Sequence, residues 1–178
     1  MITGIIYEFK VILKLNTLLV LSPFLPVIFI YSGCKGQVTR AEELLNEEYI
    51  KVEIAINNVI GWAVNKDFEL FFNTICNDST YISVTPYNKV KFGVQAVKND
   101  TSFWASPDFK AIRHEIYDLQ IHFSSGGEVA WFYCMLDDIN TWKGKPANWE
   151  KIRWTGVLEK REGNWRMVQQ HFSCPYLK

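Results

Sequence analysis

Two hydrophobic rhythms divide the chain from residue 39 onward. Leu45, Tyr49, Val52, Ile56, Val59 and Ala63 recur at three- and four-residue steps, the spacing that gathers side chains on one face of an α-helix. Thr39 followed by Glu42 predicts a capping box at its start, each side chain satisfying a free backbone N–H. Asn65-Lys66-Asp67 ends the pattern, and Asp67 caps a second, short helix carrying Phe68, Phe71, Phe72 and Ile75. Residues 80–85 (TYISVT) are β-branched and aromatic, residues 86–89 supply a turn, and Val90-Lys91-Phe92 forms a short partner strand. Gly93 opens a third helix over roughly 94–104, closed by Ser106-Pro107.

Beyond Lys110 the rhythm becomes strand-like. Residues 111–123 lead through a Ser-Ser-Gly-Gly turn to a middle strand over 128–136 (EVAWFYCML). A long loop, 137–148, precedes a strand over 150–160, and Arg161-Glu162-Gly163-Asn164 turns the chain into a last strand over 165–174. Three helices followed by long antiparallel strands is an α+β order, with the helices packed on one face of a bent sheet.

Residues before 39 follow a different logic. Lys10 and Lys14 precede an uncharged run over 15–30, and Ser32-Gly33-Cys34 comes after it. A basic stretch, an apolar core and small residues before a cut form a secretory signal. Pro23 and Pro26 interrupt the run, which a spanning helix tolerates only with compensation. Ser32-Gly33-Cys34 resembles a bacterial lipobox, with Tyr31 standing where leucine is usual. The organisation expected is a lipoprotein-type signal over 1–33, a tether over 34–38 and a domain over 39–178, lipidated at Cys34. An ordinary cleaved signal and an uncleaved N-terminal anchor are the alternatives. The expected location is an exported, membrane-anchored one on the periplasmic or cell-surface side, with Lys35 favouring the outer membrane.

Composition narrows the class without naming a reaction. Hydrophobic residues make up 48% and aromatics 15% of the chain, enough to build a packed core. Basic and acidic residues balance at 19 each, so no basic stripe predicts a nucleic-acid partner. With Cys34 lipidated, Cys76, Cys134 and Cys174 allow at most one disulfide, and no CxxC or Cys/His spacing predicts a metal. His114 and His122 lie eight residues apart on one strand, too far to share an ion. No cofactor is expected.

A resemblance sharpens the fold. Arg153-Trp154-Thr155-Gly156-Val157-Leu158, the Gly163 turn, Trp165-Arg166-Met167-Val168 and His171-Phe172-Ser173 resemble the C-terminal hairpin of SnoaL-like domains, of the nuclear transport factor 2-like superfamily. Asp78-Ser79-Thr80-Tyr81-Ile82-Ser83 with Lys91-Phe92-Gly93 is similar to that family's first hairpin, and Ala130-Trp131 fits its long middle strand. The likeness covers roughly 39–175. It implies a cystatin-like cone: a strongly curved, mostly antiparallel sheet rolled around three N-terminal helices, with a pocket at the open end. Polyketide cyclases, ketosteroid isomerases, dehydratases and a kinase association domain share this shape, so fold alone does not settle function.

Alternation along each strand sorts the faces. Trp165, Met167, Gln169, His171 and Ser173 share one parity on the last strand. Arg153, Thr155 and Val157 align on the strand before it, and Trp131, Tyr133 and Met135 on the middle strand. Guided by the resemblance, the sets containing Arg153, His171 and Trp131 are assigned to the concave side. That predicts a site of Arg153, His171, Trp131, Tyr133, Gln169, Thr155 and Ser173, joined by Tyr81. His171 is the candidate general base, since imidazole titrates near working pH. Arg153 is the candidate clamp for an anion, or else pairs with Glu69 or Asp137. Asp137 and Asp138 are expected in a solvated loop.

Three functions follow as expectations. The first is an exported lipoprotein that binds a small, partly apolar ligand without turnover. The second is an enzyme of the cyclase, isomerase or dehydratase type with His171 as base. The third is a structural or dimerisation domain with a plugged cavity, pairing through its convex face.

Overall fold

The computed structural model describes residues 39–87 and 89–174. The expected signal over 1–33 and the expected tether over 34–38, with Cys34, lie outside these residues.

The first helix, α1 (Arg40–Asn65), starts at the expected capping box. Thr39 Oγ1 accepts from the Glu42 amide at 3.3 Å, and Glu42 Oε2 accepts from the Thr39 amide at 2.8 Å. It ends at Lys66 in the left-handed region (φ 55°). Val52, Ala55, Ile56, Val59 and Trp62 form its buried stripe. Leu44 and Leu45, the latter expected in the apolar stripe, are exposed. The second helix, α2 (Phe68–Thr74), is capped by Asp67, whose Oδ1 accepts from the Leu70 amide at 2.9 Å. Trp62 stacks on Phe71 with ring centres 4.6 Å apart and meets Trp104 edge-on at 5.4 Å.

One seven-stranded sheet takes the remainder: β1 (Ile82–Val84), β2 (Val90–Phe92), β3 (Phe109–Phe123), β4 (Val129–Trp142), β5 (Lys145–Pro146), β6 (Trp149–Arg161) and β7 (Asn164–Ser173). Its order is β2-β1-β7-β6-β4-β3, with β5 paired to β4. All pairings are antiparallel except β1 with β7, which matches the mostly antiparallel expectation. The expected third helix divides at Asn99–Asp100 into α3 (Gly93–Lys98) and α4 (Thr101–Ala105), so four helices stand where three were read. Gly93 adopts φ 74°, with Ser79 Cα 3.3 Å from where a Cβ would sit, which explains a glycine at this turn.

Register breaks bend the sheet. They fall between Ala111 and Arg113 and between Tyr117 and Gln120 on β3, between Leu136 and Asp138 on β4, and between Val157 and Leu158 on β6. The last is a bulge that leaves Val168 of β7 unmatched, since Val157 faces Gln169 and Leu158 faces Met167. Bulges insert a residue, kink the strand and raise its twist, which is how a flat ladder becomes a cone.

The long loop read over 137–148 is instead a continuation of β4. The strand runs to Trp142 because β3 pairs with it down to Phe109, and β5 folds back on it. Asp137 is held there too, its Oδ1 accepting from the Lys151 amide at 2.6 Å.

The core lies between α1, α2 and the inner sheet face, where Phe132, Cys134, Leu136, Ile152, Trp154, Leu158, Met167 and Phe172 are buried. Gly156 makes this packing possible. A Cβ there would lie 2.5 Å from Phe132 Cε1 and 2.8 Å from the Gln169 carbonyl. Cys76 and Cys134 are buried free thiols, and Cys174 is an exposed one.

Candidate functional site: the cavity inside the cone

Inner and outer faces can now be assigned from burial. On β6, Ile152, Trp154, Gly156 and Leu158 are buried, while Arg153 and Thr155 between them are exposed. On β4, Ala130, Phe132, Cys134 and Leu136 point in, while Trp131 and Tyr133 are 45% and 37% exposed. On β7, Trp165 and Met167 point in, but beyond the Val168 bulge the inward residues become Gln170 and Phe172.

The predicted site is therefore a set of neighbours on the wrong side of the sheet. Trp131, Val157 and Gln169 form one cross-strand row, Tyr133, Thr155 and His171 a second, and Met135, Arg153 and Ser173 a third. Parity grouped them well within each strand; the choice of the concave side for that group was inverted. Two physical features account for this. On β4 the smaller Cys134 and Leu136 face in, and the larger Trp131 and Tyr133 face out. The bulge at Val168 also breaks the single parity assumed along β7. Arg153 donates from Nη2 to the Cys174 carbonyl at 2.9 Å, not to Glu69 or Asp137, and so ties β6 to the residue that follows β7. Tyr133 donates to Met135 Sδ at 3.2 Å, and His122 stacks on Trp131 with ring centres 5.8 Å apart. Of the eight residues predicted to form the site, Tyr81 alone lines the cavity.

That cavity measures about 630 Å³ and is open, not plugged. Its helical wall is built by Val59, Ile60, Trp62, Ala63 and Phe71, and its rim by Tyr87, Phe103, Trp104 and Trp149. Trp149 packs on Phe172 at 5.2 Å and meets Tyr87 edge-on at 6.1 Å, which carries the aromatic lining to the mouth.

Polar groups concentrate on the sheet side. Ser83 and Gln170 are partners across the parallel β1–β7 pairing. Gln170 Nε2 donates to Tyr81 Oη at 2.7 Å and to Ser83 Oγ at 3.3 Å. Burial, partly offset by hydrogen bonds to Ser83 and Gln170, pushes the Tyr81 phenol well above its ordinary value, so it stays neutral. Asn140 donates from Nδ2 to the Asp138 carbonyl at 3.3 Å and receives no donor on its own side-chain oxygen. Gln170 Oε1 is also without a donor. Lys91 reaches the same cavity, ion-paired with Asp100 and lying 5.3 Å from the centre of the Trp104 ring.

Asp138 is the residue that sequence reasoning placed elsewhere. It continues the inward series Phe132, Cys134, Leu136 by two residues and lines the cavity opposite His114 on β3. Burial pushes its carboxyl above the usual range, against the pull of the Asn140 side chain and the His114 imidazole. The signal was available: Phe132, Cys134, Leu136, Asp138 and Asn140 keep one parity, and two polar residues ending an apolar series mark a pocket wall. Among the described residues no cluster of three or more metal-ligating side chains occurs.

A long helix clasped by a coiled, bulged sheet, with an aromatic-lined hollow between them, defines a cone-shaped α+β fold. Residues 52–177 match the model of the SnoaL-like domain, and the chain belongs to that family. Solved structures agree on the fold. A protein assigned as a dehydratase of the nuclear transport factor 2-like family from Streptomyces avermitilis superposes with TM-score 0.64 at 17% identity, covering 75% of this chain and 99% of its own. A nuclear transport factor 2-like superfamily protein from Salmonella enterica gives 0.64 at 16% identity, covering 75% and 94%. A protein of unknown function from Mycobacterium tuberculosis gives 0.64 at 16%, covering 80% and 79%. At such identities these likenesses establish the shape and not the chemistry. No curated protein matches the chain.

Proposed function

We propose that this chain is a small-molecule-binding domain that encloses a flat, largely apolar ligand inside the cone. One observation carries the reading: an open cavity of about 630 Å³, lined by aromatic rings, with few polar side chains, among them Ser83, Asp138, Asn140 and Gln170 on the sheet. Sites of roughly 300–1,000 Å³ with apolar walls and few polar anchors are typical of small-molecule pockets. The test uses N-phenyl-1-naphthylamine, a neutral probe whose fluorescence rises in apolar surroundings. The protein should bind it, Ala63→Trp should fill the hollow and abolish binding, and His171→Ala should leave binding unchanged. Equal binding by the Ala63→Trp chain would refute the reading.

We further propose that the domain works as an exported lipoprotein tethered through Cys34. The support is the order of Lys10 and Lys14, the uncharged run over 15–30 and Ser32-Gly33-Cys34.

Catalysis is a second reading, and a specific observation favours it. Asp138 is a carboxyl kept above its usual range in an apolar hollow beside His114, with the neutral Tyr81 hydroxyl lining the same space. Raised carboxyls of this kind serve as general acids or bases near neutral pH. The dehydratase assignment of the Streptomyces relative is compatible with such chemistry. Asp138, not His171, is the residue on which turnover would depend. Pairing of two copies through the outer face rests on its exposed Trp131, Tyr133 and Ile112.

A further inference from the structure

Two side-chain oxygens in the cavity wall have no partner. Asn140 and Gln170 are each only 6% exposed, both line the cavity, and neither Oδ1 of Asn140 nor Oε1 of Gln170 receives a hydrogen bond from any described residue. Buried acceptors left this way are costly and are met either by water or by a ligand. The orientation of Asn140 follows from chemistry: its Nδ2 faces the Asp138 carbonyl at 3.3 Å, and reversing the amide would set oxygen against oxygen. In Gln170, Nε2 donates to the Tyr81 and Ser83 hydroxyls, and in this arrangement the oxygen is the end without a partner.

We infer that the ligand is a hydrogen-bond donor: an uncharged, ring-bearing molecule carrying at least two O–H or N–H groups, received by the side-chain oxygens of Asn140 and Gln170. The inference rests on the reading of the cavity as a ligand site. A ligand entering the hollow displaces water from both oxygens, and one without donors strands them in an apolar surrounding. The other charges nearby point the same way. Asp138 adds a third acceptor to this wall, and Lys91, the cation that would welcome an anion, is already paired with Asp100. An anionic ligand, which the sequence reading of Arg153 suggested, is therefore disfavoured.

The experiment compares four probes of one shape: 2,7-dihydroxynaphthalene, 2,7-diaminonaphthalene, 2,7-dimethoxynaphthalene and 1,4-naphthoquinone. Binding to the full chain in mild detergent is read by quenching of tryptophan fluorescence. Each wild-type affinity is divided by that of Gln170→Met or Asn140→Leu, which cancels partition into micelles. At least one donor-bearing probe is expected to bind about tenfold tighter than the dimethoxy probe, a preference falling to about twofold in the variants. The hydroxyl and amine arms tell which donor the wall prefers. Equal or tighter binding of the dimethoxy or quinone probe overturns the inference, as does a donor preference that survives in both variants. Failure of all four probes to bind sinks the cavity reading with it; binding without donor preference sinks this inference alone. Gln170→Met, in the middle of a paired strand, carries the test if Asn140→Leu does not fold.

Discussion

Glu48 Oε2 accepts the indole N–H of Trp165 at 2.7 Å, a bond between residues 117 positions apart. The same oxygen takes Lys160 Nζ at 2.8 Å, and Oε1 takes Lys51 Nζ at 2.9 Å. One carboxylate thus fastens α1 to the final hairpin, alongside the apolar packing of the helix.

Replacing Glu48 by Gln should cost about 1–2 kcal/mol, since one partly buried carboxylate serves three donors but remains partly screened by water. The hydrogen bonds of Lys160 and Lys51 lower its carboxyl from 4.5 to about 2. A depressed carboxyl stabilises the fold fully above its unfolded value and loses that contribution as pH falls. Thermal melts from pH 5 down to pH 2 should converge for the parent and the Glu48→Gln chain. Parallel curves would show that Glu48 does not fasten the helix.

Gly156→Ala should destabilise by about 2–3 kcal/mol, because the obstacle includes the backbone carbonyl of Gln169, which cannot swing away. Urea unfolding followed by tryptophan emission measures this. A loss below about 0.5 kcal/mol would mean that Phe132 and the β7 backbone yield more easily than close packing allows.

Asp138→Asn should melt at the same temperature as the parent at pH 7, or higher. A carboxyl held above its usual value binds its proton more tightly when folded. It therefore favours the fold at low pH and costs stability as pH rises through the raised value. A residue kept at such a cost points to use in the pocket. A clear drop in melting temperature at pH 7 would show instead that Asp138 supports the fold.

Cys34→Ala should release the chain from the membrane fraction and abolish incorporation of labelled palmitate. Labelling that persists in the variant removes lipidation at Cys34 from consideration.

Local signals made much of the fold legible. The capping box at Thr39, the Asp67 cap, the α1 stripe from Val52 to Val59 and the Gly93 turn stand where spacing puts them, because each depends on neighbours within a few residues. Two features escaped. The end of β4 reads as a loop in the sequence because Asp137, Asp138 and Asn140 look solvated, yet β3 and β5 pair with the strand regardless. The concave face was inverted because parity sorts residues into two groups without saying which group meets the helices. Resolving that needed the long-range fact that Val52, Ile56 and Val59 of α1 join Phe132 and Trp154 in one core. The unmatched Val168 then swapped sides within β7, a change no alternation count can register. Asp138 and Asn140, by contrast, could have been found from sequence alone by extending the series Phe132, Cys134, Leu136.

The parallel pairing of β1 with β7 sets Ser83 beside Gln170, so the polar wall joins the domain's first strand to its last. A chain still being synthesised has no such wall, because half of it has not yet arrived. The hollow is therefore a property of the finished molecule, completed only when the last strand to be made pairs with the first.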